Sequence, residues 1–295
     1  MRLLIAGGQG QIAKALVDVA PSRSEITAFA VGRPALDICE VRTIERAFGE
    51  IRPNVVINTA AYTNVDQAES EPERAMALNR DGARLLAAAA ARRGVPIIHL
   101  STDYVFDGAA TRPYRETDPT GPTTVYGHTK LEGERAVQQE NPRHVILRTA
   151  WVYSPFGRNF VKTVLARARE DHALRIVADQ TGSPTYAPHL VDAILAVAAR
   201  VSAIANERDA AWGVYHAAGS GSASWYDVAR EMIENAADLT ARTHDIEAIA
   251  TADYPTPAIR PAFSQLDCGK LENMFGVRLP DWRFGVAECV RRLSN

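Results

Sequence analysis

The chain has 295 residues, 46% of them hydrophobic and 23% charged, with a net charge of -2. This supports a large core, or one domain with a smaller partner. It gives no expectation of nucleic acid or an anionic membrane as partner, and no apolar window reaches the ~18 residues that span a bilayer.

The opening "MRLLIAGGQGQIAKAL" fits a strand, a turn and a helix better than a signal peptide. Cys39, Cys268 and Cys289 are isolated and lack CxxC spacing. They are expected to be plain buried thiols, with no disulfide frame and no zinc site, in a reducing cytoplasm.

In chain order, "RLLIAG" predicts a strand, "GQIAKALVDVA" a helix, "ITAFAV" a strand, "VRTIERAFGEI" a helix and "NVVINTA" a strand. "EPERAMALNRDGARLLAAAAARRG" predicts one long helix stopped by Gly94, followed by the strand "VPIIHLST". "YGHTKLEGERAVQQE" is a helix and "HVILRTAWVY" a strand. Alternation with nearly all-apolar strands predicts an α/β, Rossmann-type doubly wound parallel sheet covered on both faces. Residues 1–150 are the expected dinucleotide-binding domain.

Beyond them the rhythm loosens. "NFVKTVLARARED", "LVDAILAVAARV" and "SWYDVAREMIENA" predict helices, "LRIVAD" and "GVYHAAG" strands, and "DYPTPAIRPAFSQLD" an irregular Pro-rich stretch. Residues 151–295 are expected to form mainly a smaller C-terminal substrate domain, with strands near 174–179 and 213–219 returning to the main sheet.

"IAGGQGQIA" follows the first strand and opens a helix. It reads as Gly8-x-Gly10-x-x-Ala13 or as Gly7-x-x-Gly10-x-x-Ala13. Either pattern lets backbone approach a pyrophosphate, which the helix N-terminus then receives. A dinucleotide site for NAD usually has a carboxylate at the end of the second strand. Here that region reads Ala30, Val31, Gly32, Arg33. An arginine there suits a 2'-phosphate, which favours NADPH and leaves NADH open. Asp37 and Ile38 fall near the expected adenine.

Ligands of such sheets bind outside the carboxyl ends of the strands. Three polar clusters fall there: Ala61, Tyr62 and Thr63 in "NTAAYTNVD", Ser101, Thr102 and Asp103 in "LSTDYVFDG", and Trp151 in "TAWVY". Between the last two strands, "TTVYGHTK" puts Tyr126 and Lys130 on one helix face at i and i+4. An ammonium near a phenol favours the phenolate, so Lys130 is expected to lower the Tyr126 pKa toward working pH.

The glycine turn, the strand-end threonine and Tyr-x-x-x-Lys together resemble the extended short-chain dehydrogenase/reductases. The likeness narrows to the dTDP-4-dehydrorhamnose reductase branch through "NTAAYTNVDQAESEPE", "ETDPTGPTTVYGHTKLEGE", "DQTGSPT", "WYDVA" and "YPTPAIRP". The resemblance implies that Gly10, Gln11 and Ile12 cradle the cofactor phosphates, and that Asp37, Ile38, Ala61, Tyr62 and Thr63 line the dinucleotide. It implies that Thr102 and Asp103 contact a dTDP-sugar, that Trp151 packs on it, and that Lys130 orients the cofactor ribose. The implied reaction is NAD(P)H-dependent reduction of the C4 ketone of dTDP-4-dehydro-6-deoxy-L-mannose, with Tyr126 as proton donor.

Related sugar-nucleotide dehydratases read Thr-Asp-Glu where this chain has Thr102-Asp103-Tyr104, which favours simple ketone reduction. Some members of the family bridge a dimer with magnesium through glutamates. The corresponding positions here are Ala15 and Pro188, so a monomer or weak homodimer without bound metal is expected. Two alternatives stay open. One is the C4 epimer, dTDP-6-deoxy-L-talose, as product. The other is a non-catalytic dinucleotide-binding role like that of the regulatory subunit of methionine adenosyltransferase, against which the intact Thr102, Tyr126 and Lys130 argue. Arg260 in the Pro-rich stretch is either a grip for the diphosphate or part of a packing loop.

Overall fold

The computed structural model describes residues 1–169, 174–236 and 246–294. Strands β1 (Arg2–Ala6), β2 (Thr27–Val31), β3 (Val55–Asn58), β4 (Ile97–Thr102) and β5 (His144–Thr149) join Gly213–His216 in a six-stranded sheet. All its pairs are parallel, and the spatial order is Gly213–His216, β5, β4, β3, β1, β2. The apolar runs lie at its centre because both faces are covered. Leu3, Ile5, Val55 and Ile57 turn toward one core, while Leu4, Ala6 and Val56 turn toward the other.

The first face is covered by α1 (Gln11–Val19) and by the helix Ala187–Ser202, which pack against each other. The second is covered by α2 (Val41–Ile51) and α5 (Ala83–Ala91). A separate cluster built around Val161, Leu165, Met232, Trp282 and Val286 forms the core of the later half.

The long helix expected over residues 71–94 runs from Pro72 to Ala91 as α4 (Pro72–Met76), a π-helical turn Ala77–Gly82 and α5, and the short α3 (Val65–Ser70) precedes it. The turn presents Asn79, which is 1% exposed, to the loop after β3 and to α6 (Val125–Glu140). Gly94 ends the segment with φ +62°, as its sequence position suggests.

Of the two later strands expected to return, Gly213–His216 does so beside β5. Leu174–Val177 instead pairs with Ile246–Ile249 in a two-stranded parallel sheet. Its alternating burial suits a half-covered strand rather than a central one, since Arg175 is exposed and pairs with Glu247. The Ala187–Ser202 helix, numbered with the later half, packs on the first. Glu170 and Asp171, the end of the predicted "NFVKTVLARARED" helix, lie outside the described residues. Cys39 is exposed rather than buried, Cys268 is half-buried and Cys289 is buried.

Candidate active site

The sheet brings its carboxyl ends to one edge. Register pairs Ala6 with Val31 and Asn58, Asn58 with His99, and Thr102 with Thr149. The turn after β1 opens there. Gly7 has φ +94°, and a Cβ on it would lie 2.7 Å from the Ala60 nitrogen. A side chain is thus excluded on both backbone and steric grounds. Gly10 begins α1 without a side-chain cap, leaving the first-turn N–H groups without a side-chain acceptor.

A cleft of about 610 Å³ runs from this turn to the later half. It is lined by Gly10, Gln11, Ile12, Ala61, Thr63, Thr102, Asp103, Tyr126, Lys130 and Trp151. A second opening of about 370 Å³ shares Ala61 and Thr63 with it and is lined by Arg33, Asp37, Tyr62, Cys39 and Arg74. The predicted phosphate, sugar and adenosine residues thus form one continuous groove. Two of them stand back from it. Gly7 underlies the turn. Ile38 is 3% exposed and packs in the core beside Gly82.

The groove suits a dinucleotide on its own features. It has an uncapped helix start and a glycine cradle that a Cβ would fill. Two buried polar atoms of cleft residues, Asp103 Oδ2 and Thr149 Oγ1, lack a protein partner. The Gln11 carboxamide does not serve as a free ligand. Its Oε1 accepts from Ser154 Oγ at 2.8 Å and Asn159 Nδ2 at 2.9 Å, which ties the turn to the segment after β5. The Tyr62 hydroxyl donates to Glu71 at 2.9 Å, and its backbone N–H donates to Asn79 Oδ1 at 2.7 Å.

At the end expected to take the sugar, α6 starts on Thr124, whose hydroxyl accepts from Gly127 N–H at 3.0 Å. Gly127 sits against the Tyr104 carbonyl, and a Cβ there would come within 2.1 Å of that oxygen. This close approach seats Tyr126 beside Thr102 and edge-on to Tyr104, with ring centroids 5.5 Å apart. Lys130 is 2% exposed and donates from Nζ to the Leu100 carbonyl at 2.5 Å.

Burial pushes the Tyr126 phenol upward, partly offset by a hydrogen bond with Thr102, while Asp103 and Tyr104 add to the rise. Burial pushes Lys130 down to about 8, with Glu134 opposing. The expectation that Lys130 lowers the phenol is therefore corrected for the protein alone. Desolvation dominates Tyr126, and the ammonium is engaged with Leu100. Asp103 is driven up to about 6 by burial, which outweighs the hydrogen bond its Oδ1 accepts from Thr102 at 3.0 Å.

Several contacts around the cleft could not be read from the sequence. Trp151 adopts φ +47° and stacks on Trp225, with centroids 3.7 Å apart and planes 3° from parallel. Arg260 bonds Asp66 Oδ2 at 2.6 Å and the Tyr104 hydroxyl at 3.2 Å, joining the Pro-rich stretch to the loop after β3. These contacts span 156 to 194 positions, so no local pattern announces them. Glu134 was legible as the next turn on the Tyr126–Lys130 face.

Fold and site together define an NAD(P)-dependent oxidoreductase of the extended short-chain dehydrogenase/reductase class. The family model described as the RmlD substrate binding domain matches residues 1–295. Over 295 residues the chain is 48% identical to a dTDP-4-dehydrorhamnose reductase of Sinorhizobium fredii, covering 99% of this chain and 96% of that relative. Its fold matches the crystal structure of a Clostridium acetobutylicum dTDP-4-dehydrorhamnose reductase with TM-score 0.91 at 35% identity, covering 100% of both chains. It also matches the Bacillus anthracis enzyme, solved in complex with NADP, with TM-score 0.88 at 33% identity over 99% of both. The chain belongs to the dTDP-4-dehydrorhamnose reductase family.

Proposed function

We propose that this chain reduces the C4 ketone of dTDP-4-dehydro-L-rhamnose to give dTDP-L-rhamnose, using NADPH and a proton from Tyr126. The observation that carries the reading is the single cleft shared by Thr102, Tyr126, Lys130 and the glycine turn. NADPH, when bound, supplies the hydride. The α1 N-terminus with Gly10, Gln11 and Ile12 holds the pyrophosphate, and Arg33 takes the 2'-phosphate at the exposed end.

The Thr102 hydroxyl, which donates to Asp103 Oδ1 in the protein alone, turns to donate to the ketone oxygen and so favours negative charge there. The phenol of Tyr126 remains protonated at working pH because burial raises it, and it delivers its proton as that charge develops. Lys130 stabilises the phenolate left behind and orients the ribose. Trp151, held by Trp225, forms a rigid apolar wall for the sugar.

The residues at the magnesium-bridging positions are apolar, Ala15 in the core and Pro188 at a helix start, which supports a metal-free monomer or weak dimer. No helix among the described residues is long and apolar enough to cross a membrane. We place the enzyme in the cytoplasm, where nucleotide sugars are made.

The test is a coupled assay with the 4-keto sugar and either NADPH or NADH, followed by NMR of the product. Ketone-dependent NADPH oxidation giving the L-manno configuration at C4 is expected. The L-talo product would overturn the stereochemical assignment. Absence of turnover would return the chain to a binding role.

A further inference from the structure

Behind the cleft floor lies a buried ionic cluster that takes no part in the scheme above. Arg148 on β5 and Glu134 on α6 form a bidentate pair, Nε to Oε1 at 2.9 Å and Nη2 to Oε2 at 2.7 Å. Their side chains are 5% and 2% exposed. Ser101 on β4 donates to the same carboxylate at 2.5 Å. Arg148 also lies over the Phe106 ring, 5.2 Å from its centroid.

Each partner adjoins a residue of the site. Ser101 precedes Thr102, Arg148 leads through Thr149 and Ala150 to Trp151, and Glu134 follows Lys130 by one helical turn. Lys130 and Glu134 therefore clamp one face of α6 onto β4 at successive residues, Leu100 and Ser101. A buried ion pair is weak evidence for stability alone, and a registering role is its better-attested use.

We propose that Glu134 is the positioning residue of this site. It fixes the strand ends bearing Thr102 and Trp151 against the helix bearing Tyr126 and Lys130, and it holds a carboxylate one turn from the lysine ammonium. The inference rests on the reading of Tyr126 and Lys130 as the reacting pair. Burial disfavours the Lys130 ammonium, and Glu134 is the group that pushes back. The other titratable or charged groups on the elements packed around Lys130 are His99 on β4, Asp103 and Tyr104 after it, His144 and Arg148 on β5, Asp66 and Glu69 on α3, Glu73 and Arg74 on α4, Arg80, Asp81 and Arg84 beyond it, and Tyr126, His128, Glu132, Arg135 and Glu140 on α6 itself. His99 is held neutral, its pKa lowered by its own burial and by Lys130.

The test reads Lys130 directly in the full chain, without cofactor or substrate. Lysine-labelled protein titrated by side-chain 13C–15N NMR gives signals from four lysines, and Lys130→Met assigns the one of interest. The native midpoint is expected near 8. In the double variant Glu134→Gln/Arg148→Met, which leaves no unpaired charge, it should fall by about one unit. A folded double variant with the native midpoint overturns the proposal.

Glu134→Asp retains a carboxylate opposite Arg148 but draws it back by one methylene, and its fold is checked by circular dichroism. Its Lys130 midpoint should stay within about 0.3 unit of native, while turnover falls about tenfold and the NADPH dissociation constant holds within about twofold. Native turnover in folded Glu134→Asp, or a midpoint shift as large as in the double variant, also overturns it. Since the NMR result needs no reaction, its outcome is separate from whether the chain reduces a ketone.

Discussion

The two ends of the groove are built on opposite principles. At the sugar end, Thr102, Asp103 and Lys130 are 5%, 2% and 2% exposed, and burial moves Lys130 down to about 8 and Asp103 up to about 6. At the adenosine end, Arg33, Cys39 and Arg74 are exposed around an open hollow. Proton transfer gains from the dry end, where small charge displacements carry large free energies. Recognition of a highly charged cofactor tolerates the wet end, where arginines stay hydrated and adaptable. Substitutions at the dry end should therefore affect rate, and those at the wet end affinity.

The largest effect expected is from Tyr126→Phe, which removes the proposed proton donor and keeps the ring against Tyr104. Turnover should fall by about 10²–10⁴-fold, with the NADPH dissociation constant within about twofold of native. Full turnover would remove Tyr126 from the mechanism. Gly127→Ala comes next. Its methyl would meet the Tyr104 carbonyl at 2.1 Å, a backbone atom that cannot rotate away. We expect a loss of about 1–3 kcal/mol on denaturant unfolding and a fall in turnover, because relief requires α6 to lift Tyr126 off Thr102. A variant with native stability would show that the helix is not seated so closely.

This difference between the ends also explains what the sequence made legible. The strands β1 to β5 were visible because a parallel sheet buried on both faces demands continuous apolar runs. The glycine turn and Tyr126–Lys130 were visible because local spacing sets them. The long helix is legible from its spacing, but the π turn within it is not, because it goes with packing against α6, where a Cβ on Gly133 would meet the Asn79 carbonyl. The sign of the Tyr126 shift was missed for a similar reason. Spacing shows that a lysine is near, but not that both groups are buried or that Leu100 holds the ammonium. The sequence names Arg260 and the "WYDVA" stretch that holds Trp225, but their partners Asp66, Tyr104 and Trp151 lie on distant segments and have no local signature.

Asp103 offers a smaller test of the dry end. Its carboxyl is neutral in the folded chain over a range where it would be ionised when unfolded. The stabilisation from this group is thus fully present below its ordinary value of 3.8 and is lost as pH rises through about 6. A shift of that size corresponds to an upper figure of about 3 kcal/mol at pH 8. Asp103→Asn removes the cost of ionising a buried group and keeps the shape. Its Tm should exceed the native value at pH 8 by a few degrees, and the gain should vanish toward pH 4. A gain independent of pH would mean that Asp103 is not buried as a charge.

The smallest effect belongs to the wet end. Arg33 is exposed beside the Asp37 and Arg74 hollow, so its contact with a 2'-phosphate would be a solvated charge-assisted bond worth about 1–2 kcal/mol. Arg33→Ala should raise KM for NADPH by about tenfold, leave KM for NADH within about twofold, and leave kcat unchanged with both. The NADPH effect should also shrink as salt is raised, because an exposed pair is screened and a buried one is not. Equal changes for the two cofactors would withdraw the 2'-phosphate from Arg33. A fall in kcat would show that the ends of the groove are coupled, contrary to the division drawn from their burial.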